Sequence, residues 1–355
     1  MDTRIKAVRN ILQEKGLDAI LIYKPENRKY FSGFTGTTGF IIITKEEAKF
    51  ITDFRYIQQG KNECKGYDII EVSRSAPLTN IIEGFNINRL GVEEDFFTYG
   101  HYLDLSSKLS KVTMVPLEGA LTKLRSIKTE KEIGYIAKAA SLADEAFNHI
   151  LTLIKPGVVE RDIALELEFF MRKRGATNAS FNFIVASGLR SSLPHGVASN
   201  KVIELGDFVT LDYGCIYEGY CSDMTRTVVV GKADDRQKQI YSLVLKAQET
   251  ALSEVKPGIT GSQLDNIARQ IITDGGYGQC FGHGLGHGVG LEIHELPHVN
   301  TMGNTPLEPG MIITIEPGVY ITDFGGVRIE DLVVVRDDGY QVLSKTPKQL
   351  IEIQA

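Results

Sequence analysis

The stretch SLADEAFNHILTLIKPG, residues 141–157, returns as SLVLKAQETALSEVKPG at residues 242–258, and this repeat decides the fold. The copies lie 101 positions apart and share seven of 17 residues, including the closing Lys-Pro-Gly. Each copy predicts a helix, a loop and a second amphipathic helix, the latter over 160–174 and 261–273. A β-rich stretch follows each second helix, so we predict two similar α-plus-β halves with a site in the crease where their sheets meet. The alternative is that the two segments are similar by chance. Their equal length, their matching position before a second helix and their common Lys-Pro-Gly ending argue against chance.

The repeat lies inside a larger second domain that begins near Ser126–Glu132. Thr129 and Glu132 have the T-x-x-E spacing of a capping box, which starts a long amphipathic helix. Residues 1–125 instead predict a smaller α/β unit, with an N-terminal helix followed by short buried strands. We therefore predict two domains, 1–125 and 126–355, and an α+β fold overall.

Composition and charge limit the classes of function. The 355 residues carry a net charge of −6 and no long basic run, which disfavours nucleic acid as a partner. No run approaches the roughly 18 apolar residues of a membrane-spanning helix, so no membrane partner is expected. Four cysteines without a C-x-x-C pair, and an N-terminal helix without a signal-peptide core, predict a reduced, cytoplasmic protein.

Three histidines are concentrated in FGHGLGHGVGLEIHE at 281–295. Glycines at alternate positions disfavour a helix, which excludes the helical H-E-x-x-H arrangement of many zinc peptidases. They also allow the backbone to approach a ligand or another strand closely. A single histidine here would be ordinary in a protein core, whereas the cluster indicates a functional site.

Two aspartates fall on one predicted hairpin, TLDYGCIYEGYCSDMTRT at 210–227. With a Glu-Gly turn at 218–219, Asp212 lies opposite Thr225. Asp223 is then a diagonal neighbour of Asp212 on the same face, where the two charges repel each other unless a cation lies between them. Two solvent-facing aspartates are the alternative, and a register shift of one residue would place the two on opposite faces.

Two glutamates complete the candidate metal ligands. MIITIEPGVYI at 311–321 is an apolar strand that ends at Glu316, and VRIEDLVVV at 327–335 is a strand with Glu330 in its middle. Burying a carboxylate among such apolar residues is costly unless it is paired or binds a metal. Two aspartates, two glutamates and at least one histidine suit Mn(II), Co(II) or Zn(II). Four carboxylates nearly neutralise two divalent ions, so the residues alone predict a dinuclear centre for metal-assisted hydrolysis, most simply of an amide.

These stretches, together with VASGLRSSLPHG at 185–196 and GGVRIED at 325–331, resemble those of the pita-bread metallopeptidases. That family contains methionine aminopeptidase, aminopeptidase P and prolidase, with creatinase as a metal-free relative. The two-domain layout is similar to the creatinase, prolidase and aminopeptidase P branch. The resemblance implies a C-terminal pita-bread domain of pseudo-twofold α/β repeats behind a smaller N-terminal creatinase-like α/β domain. It also implies a homodimer, with short proline-containing peptides as substrates.

The same resemblance implies a role for each matching position. The ligands of two divalent ions, Mn(II) first with Co(II) or Zn(II) as alternatives, would be Asp212, Asp223, His287, Glu316 and Glu330. Glu316 would also be the general base toward the attacking water, and His195 and His294 the proton-donating pair. The residues implied to contact or orient the substrate are His283, Arg328, Tyr320, Phe181 and Ile293. Because all five ligands are present, creatinase chemistry is a disfavoured alternative. Metal binding without turnover is also disfavoured, because His195 and His294 would have no purpose in a passive metal holder.

The choice within the branch depends on the residues just after the third histidine of the cluster. Prolidases that resemble this chain carry H-E-x-P-R, and here the sequence is H-E-L-P-H, ending at His298. Histidine is a poorer permanent cation than arginine for the free carboxylate of a dipeptide. FTGTTG at 34–39 and TDFRY at 52–56 also look more like aminopeptidase P. We therefore predict release of the N-terminal residue from peptides with proline in second position, with a prolidase acting on Xaa-Pro dipeptides as the alternative.

Overall fold

A computed structural model describes residues 2–354 and separates the chain into two units, Met1–Arg125 and Ser126–Ala355. The strands of the first unit are β1 (Ala19–Ile22), β2 (Phe40–Thr44), β3 (Ala48–Thr52), β4 (Asp68–Glu71), β5 (Arg89–Val92) and β6 (Thr113–Pro116). Its helices are α1 (Asp2–Lys15), α2 (Pro25–Ser32), α3 (Ile57–Glu63), α4 (Leu78–Glu83), α5 (Tyr99–Lys108) and α6 (Ala120–Leu124). The strands form one mixed sheet in the order β4-β3-β2-β1-β5-β6. β1 is buried along its whole length, as its unbroken apolar sequence predicts.

The second unit opens with the long helix that the capping box predicts. Thr129 is the N-cap of α7 (Glu130–Ile150): its Oγ1 accepts from the Glu132 amide at 3.4 Å, and its amide donates to the Glu132 carboxylate at 2.8 Å. The elements that follow are α8 (Glu160–Lys173), β7 (Asn178–Ala179), β8 (Ile184–Ser187), β9 (Phe208–Tyr213), β10 (Cys215–Tyr217), β11 (Tyr220–Cys221) and β12 (Met224–Val230).

The second copy of the repeat has the same order of helices and strands. It consists of α9 (Asp235–Ser253), α10 (Gly261–Asp274), β13 (Gly286–Gly288), β14 (Glu295–Val299), β15 (Ile312–Ile315), β16 (Gly318–Ile321), β17 (Gly325–Arg328), β18 (Asp331–Arg336) and β19 (Gly339–Val342), and β20 (Glu352–Ile353) ends the unit. The two main sheets have the orders β20-β12-β9-β8 and β14-β13-β15-β18-β19. One apolar core joins α7 and α8 to the first sheet around Leu167 and Leu211, and another joins α9 and α10 to the second around Leu264 and Val333. Among residues 2–354, no helix has both the length and the apolarity needed to cross a membrane.

The repeated Lys-Pro-Gly ending marks a repeated backbone geometry. Its glycine has a left-handed φ in both copies, 94° at Gly157 and 87° at Gly258. A side chain would be strained at these angles, so glycine is the residue that the turn requires. The predicted order of helix, loop, helix and strands is therefore confirmed in both halves.

The aspartate hairpin has the predicted register. Asp212 in β9 pairs with Thr225 in β12. Glu218 and Gly219 form the turn, with φ values of 52° and 86°. Two positive φ values are typical of the tight turns that match the twist of a hairpin. The turn thus sets a pairing that places Asp212 near Asp223.

Glu330 does not lie in the middle of a strand, and the prediction was wrong on this point. The apolar run 327–335 is interrupted at Ile329–Glu330, between β17 and β18. The first part pairs with β16 in a separate two-stranded sheet, so the chain changes sheets at this break. The Glu330 amide donates instead to the carbonyl of Thr225 at 3.1 Å, which fixes Glu330 beside β12. Glu316 lies in the corresponding break between β15 and β16.

Candidate active site

Four carboxylates come together from the hairpin and the two strand breaks. Asp212 lies in β9, Asp223 directly precedes β12, Glu316 directly follows β15, and Glu330 directly precedes β18. Oxygen atoms of Asp212, Asp223 and Glu330 all lie within 4.8 Å of one another. None of these three residues is more than 9% exposed. The fold therefore gathers buried negative charge at one point.

His287 of β13 joins this group through its Nε2 atom. Nε2 lies 3.3 Å from Glu316 Oε1 and 3.5 Å from Asp223 Oδ2. The other ring nitrogen, Nδ1, donates to the carbonyl of Gly288 at 3.1 Å, because a carbonyl oxygen only accepts. This bond orients the ring so that Nε2 faces the carboxylates, which is how metal-binding histidines are held in proteins.

The contact between His287 and Glu316 governs the protonation of both groups. Burial alone would lower the pKa of His287, but the hydrogen bond and charge of Glu316 raise it. Burial alone would raise the pKa of Glu316, but the hydrogen bond and charge of His287, with His283 and Arg328, lower it to about 2. Glu316 is therefore ionised throughout the neutral pH range.

Two threonines hold the glutamate side chains in place. Thr225 Oγ1 donates to Glu330 Oε2 at 2.7 Å, and Thr314 Oγ1 donates to Glu316 Oε1 at 2.9 Å. Neither threonine was predicted to be a site residue. A signal was available, because Thr225 is the predicted pairing partner of Asp212 and Thr314 precedes Glu316 by two residues on an apolar strand.

Whether these residues fit a metal ion can be judged from the carboxylate oxygens that lack a hydrogen-bond partner. Asp223 Oδ1 and Glu330 Oε1 are buried and have no hydrogen-bond partner among residues 2–354. An unsatisfied buried carboxylate oxygen is costly. Within the described chain, Arg328 is the one arginine or lysine paired with these four carboxylates. Concentrated, buried and uncompensated carboxylate oxygens are ligands that hard divalent cations prefer. The residues present therefore fit divalent metal ions.

We expect the metal-free protein to lose stability as pH rises. Burial, and then the charges of the neighbouring carboxylates, raise the pKa of Asp223 and of Glu330 well above the ordinary carboxyl range. The stability that these groups contribute is fully present below their unfolded pKa and is lost as pH rises through their folded pKa. The thermal midpoint of chelator-treated protein should thus fall from about pH 5 to about pH 8, and divalent ions should restore it at the upper end. The Asp223→Asn variant should show a weaker fall, and an equally steep one would contradict this explanation.

A cavity of about 530 Å³ lies over the carboxylates. Of the site residues predicted from the sequence, all except Tyr320 line it: Phe181, His195, Asp212, Asp223, His283, His287, Ile293, His294, Glu316, Arg328 and Glu330. His298 lines it as well. Asn182 and Asn300 also line it and were missed, because a lone asparagine in a loop carries no distinctive sequence signal. The volume is in the usual range for a small-molecule or peptide pocket.

The two histidines expected to donate protons have different environments. The His294 ring packs on the His287 ring, with centroids 4.3 Å apart. Burial and the charge of His287 lower the pKa of His294, so its imidazole is neutral near pH 7. His195 is exposed at the cavity, and within residues 2–354 its ring makes no hydrogen bond.

Tyr320 lies behind the cavity and connects two of its lining residues. Arg328 donates from Nη1 to the Tyr320 hydroxyl at 2.7 Å and from Nη2 to Asp212 Oδ2 at 2.5 Å. His283 donates from Nδ1 to the Gly284 carbonyl at 2.8 Å, so its Nε2 accepts from the Tyr320 hydroxyl at 2.8 Å. Burial raises the pKa of Tyr320 to about 12, which keeps this hydroxyl protonated. Tyr320 therefore orients His283 and Arg328 from outside the cavity.

Two family models match the chain and together cover most of it. The model of the Creatinase/Prolidase N-terminal domain matches residues 4–127. The model of metallopeptidase family M24 matches residues 134–337, which include every predicted site residue.

Proteins similar to this chain include peptidases of two names. An Xaa-Pro dipeptidase of Pyrococcus horikoshii is 42% identical over 99% of this chain and 99% of its own length. The structure of an Xaa-Pro dipeptidase from Bacillus anthracis superposes with a TM-score of 0.96, at 48% identity, over 98% of this chain and 99% of that one. The structure of an X-Pro aminopeptidase from Thermotoga maritima superposes with a TM-score of 0.89, at 37% identity, over 97% of this chain and 100% of that one.

Proposed function

Because this chain belongs to metallopeptidase family M24, we propose that it hydrolyses the Xaa-Pro peptide bond and releases the N-terminal residue from peptides with proline in second position. The observation that carries the proposal is the group of four carboxylates, three of them buried, with His287 at the floor of a cavity lined by His195 and His294. Proline gives such an enzyme its specialised task, since a proline nitrogen in peptide linkage has no N–H for a peptidase to recognise. The names of the similar proteins support the same bond specificity.

The ligands in this proposal are Asp212, Asp223, His287, Glu316 and Glu330, holding two divalent ions, with Mn(II) as our first choice. Divalent ions held there would polarise the scissile carbonyl and supply an acidified water for attack near neutral pH. Four carboxylates balance the charge of two such ions better than that of one. A homodimer and a cytoplasmic location remain predictions from the family resemblance and from the cysteine pattern.

The chain's own side chains would move the protons. Thr314 and His287 both contact Oε1 of Glu316, which leaves Oε2 to accept the proton of the attacking water. His294, neutral near pH 7, can donate an N–H hydrogen bond to the substrate oxygen as negative charge develops on it. The proline nitrogen needs a proton to leave as an amine, and His195 lies at the cavity to supply it.

Peptides longer than two residues are our first choice of substrate. A second cavity of about 590 Å³ adjoins the first and shares Phe181, Asn182 and Val197 with it, so there is room for the chain that follows the proline. Arg328 is the only arginine or lysine among the described residues that line the first cavity. It is already bound to Asp212. The free carboxylate of a dipeptide would therefore meet no unpaired permanent cation there.

Xaa-Pro dipeptides are the second candidate, favoured by the names of two similar proteins. His298 lines the cavity and would have to be protonated to hold the dipeptide carboxylate.

We expect chelator-treated protein restored with Mn(II) to hydrolyse Ala-Pro-Ala with a kcat/KM about tenfold or more above that for Ala-Pro. The reason is the missing partner for the dipeptide carboxylate. The His298→Arg variant supplies a permanent cation and should raise the rate on Ala-Pro alone. A preference of the unmodified enzyme for Ala-Pro would establish the dipeptidase alternative. No hydrolysis of either peptide would contradict the proposed function.

A further inference from the structure

The loop that carries His195 is tied together by one buried side chain, Glu160. Glu160 begins α8 and is 0% exposed. Its Oε1 accepts from the amide and the hydroxyl of Ser187, at 2.7 and 2.9 Å. Its Oε2 accepts from the amide and the hydroxyl of Ser199, at 3.1 and 2.7 Å, and from Nη1 of Arg190. Since Ser187 and Ser199 lie on either side of the loop, one carboxylate joins its two ends.

His195 itself depends on the position of this loop. Its ring is exposed and makes no hydrogen bond within residues 2–354. The contacts nearest to it are backbone contacts: the His195 carbonyl accepts from the Val197 amide at 2.8 Å, and the Pro194 carbonyl accepts from Arg328 at 3.3 Å. A side chain without bonds of its own is aimed by the backbone that carries it.

The charge of Glu160 is matched by a connected set of partners. Arg190, which pairs with Glu160, also donates from Nη2 to the Val197 carbonyl at 2.8 Å. Lys201 donates to the Ser187 hydroxyl at 3.0 Å and pairs with Asp207 at 2.6 Å. Removing the carboxylate would leave the donors of Ser187, Ser199 and Arg190 without this acceptor, and the loop would have to move to satisfy them.

We propose that Glu160 is a positioning residue for His195: it holds the loop of residues 188–198 so that the His195 ring points into the cavity. Glu160 does not line the cavity, so it acts through the loop and not on the substrate. The inference rests on the proposed function, in which His195 protonates the departing proline nitrogen.

The first test is the Glu160→Gln variant. It should lose about 10- to 100-fold in kcat, because a displacement of about 1 Å of a catalytic group has effects of this size. Its metal content and KM should change much less than kcat, since neither the five proposed ligands nor Phe181 and Ile293 lie on the loop. The matched control is Glu166→Gln on the same helix, where the partly exposed carboxylate contacts His149 and not the loop. That variant should keep the kcat of the unmodified enzyme.

The second test is a double-mutant cycle that separates positioning from general damage. If Glu160 acts through His195, Glu160→Gln should cost nothing further in a His195→Ala background. An equal loss of kcat in both backgrounds, or an undiminished kcat in Glu160→Gln, would overturn the inference. Should Glu160→Gln fail to fold, Ser199→Ala enters the same cycle with a smaller expected loss. It removes the 2.7 Å bond to Glu160 and the 3.1 Å bond that the Lys201 amide donates to the Ser199 hydroxyl. An unmodified enzyme inactive on every Xaa-Pro peptide would overturn the proposed function and this inference together, whereas an active enzyme with an additive cycle would overturn the inference alone.

Discussion

Replacing Glu330 with glutamine should abolish metal binding and slow peptide hydrolysis by at least about 10³-fold. Glu330 is 1% exposed, and its Oε1 has no hydrogen-bond partner among residues 2–354. Glutamine keeps the shape, and its amide oxygen can still accept from Thr225, but it removes the charge that a divalent ion requires. The loss of turnover corresponds to the several kcal/mol that metal polarisation contributes to such a transition state.

Two measurements make this prediction specific. Metal content by elemental analysis should fall together with kcat. The thermal midpoint of the metal-free variant should match or exceed that of the metal-free unmodified protein, because the substitution removes a buried charge. Glu249→Gln, an exposed position on α9, is the matched control and should change neither quantity. A Glu330→Gln protein with full metal content and turnover would show that the carboxylate group is not the metal centre.

Replacing either His195 or His294 with alanine should leave the metal content unchanged and lower kcat by about 10²- to 10⁴-fold. Both residues line the cavity, and neither is needed to complete the group of four carboxylates and His287. Their proposed work is to stabilise the developing oxyanion and to protonate the proline nitrogen. The two steps belong to different parts of the reaction, so each single change should be severe.

The control for these changes is His101→Ala, at an exposed histidine of the first unit, which should keep full activity. Loss of metal in the His294→Ala variant would instead show that His294 is a metal ligand. This outcome is tested because the His294 ring lies 4.3 Å from the ring of His287, a proposed ligand. Turnover that survives both the His195 and the His294 change would contradict the proposed roles.

Local patterns were sufficient to predict much of the fold. The Glu218-Gly219 turn sets the pairing of its own hairpin, so neighbouring residues alone placed Asp212 opposite Thr225. The T-x-x-E box and the repeated Lys-Pro-Gly likewise depend on residues close together in sequence. The family matches and the superposed structures confirm the expected α+β fold, a creatinase-like N-terminal domain followed by a pita-bread domain.

Contacts between residues far apart in sequence were not predictable in this way. The run around Glu330 is apolar enough to form one strand, and it breaks because its two parts pair with different partners, β16 and β15. The bond from Thr225 to Glu330 spans 105 positions, and although the hairpin pairs Thr225 with Asp212, no local pattern pairs it with Glu330. Glu160 looks like an ordinary first-turn glutamate of a helix, and its importance to the loop appears only when Ser187 and Ser199 are brought beside it.

Xaa-Pro hydrolysis by this protein should require divalent ions bound by the buried carboxylate group. The most direct measurement is to titrate Mn(II) into chelator-treated protein and record bound metal and the rate of Ala-Pro-Ala hydrolysis in the same samples. We predict no hydrolysis before addition, and a rate that rises with bound metal and saturates at about two ions per chain. Full hydrolysis by the chelated protein, or metal binding that brings no hydrolysis, would contradict the claim.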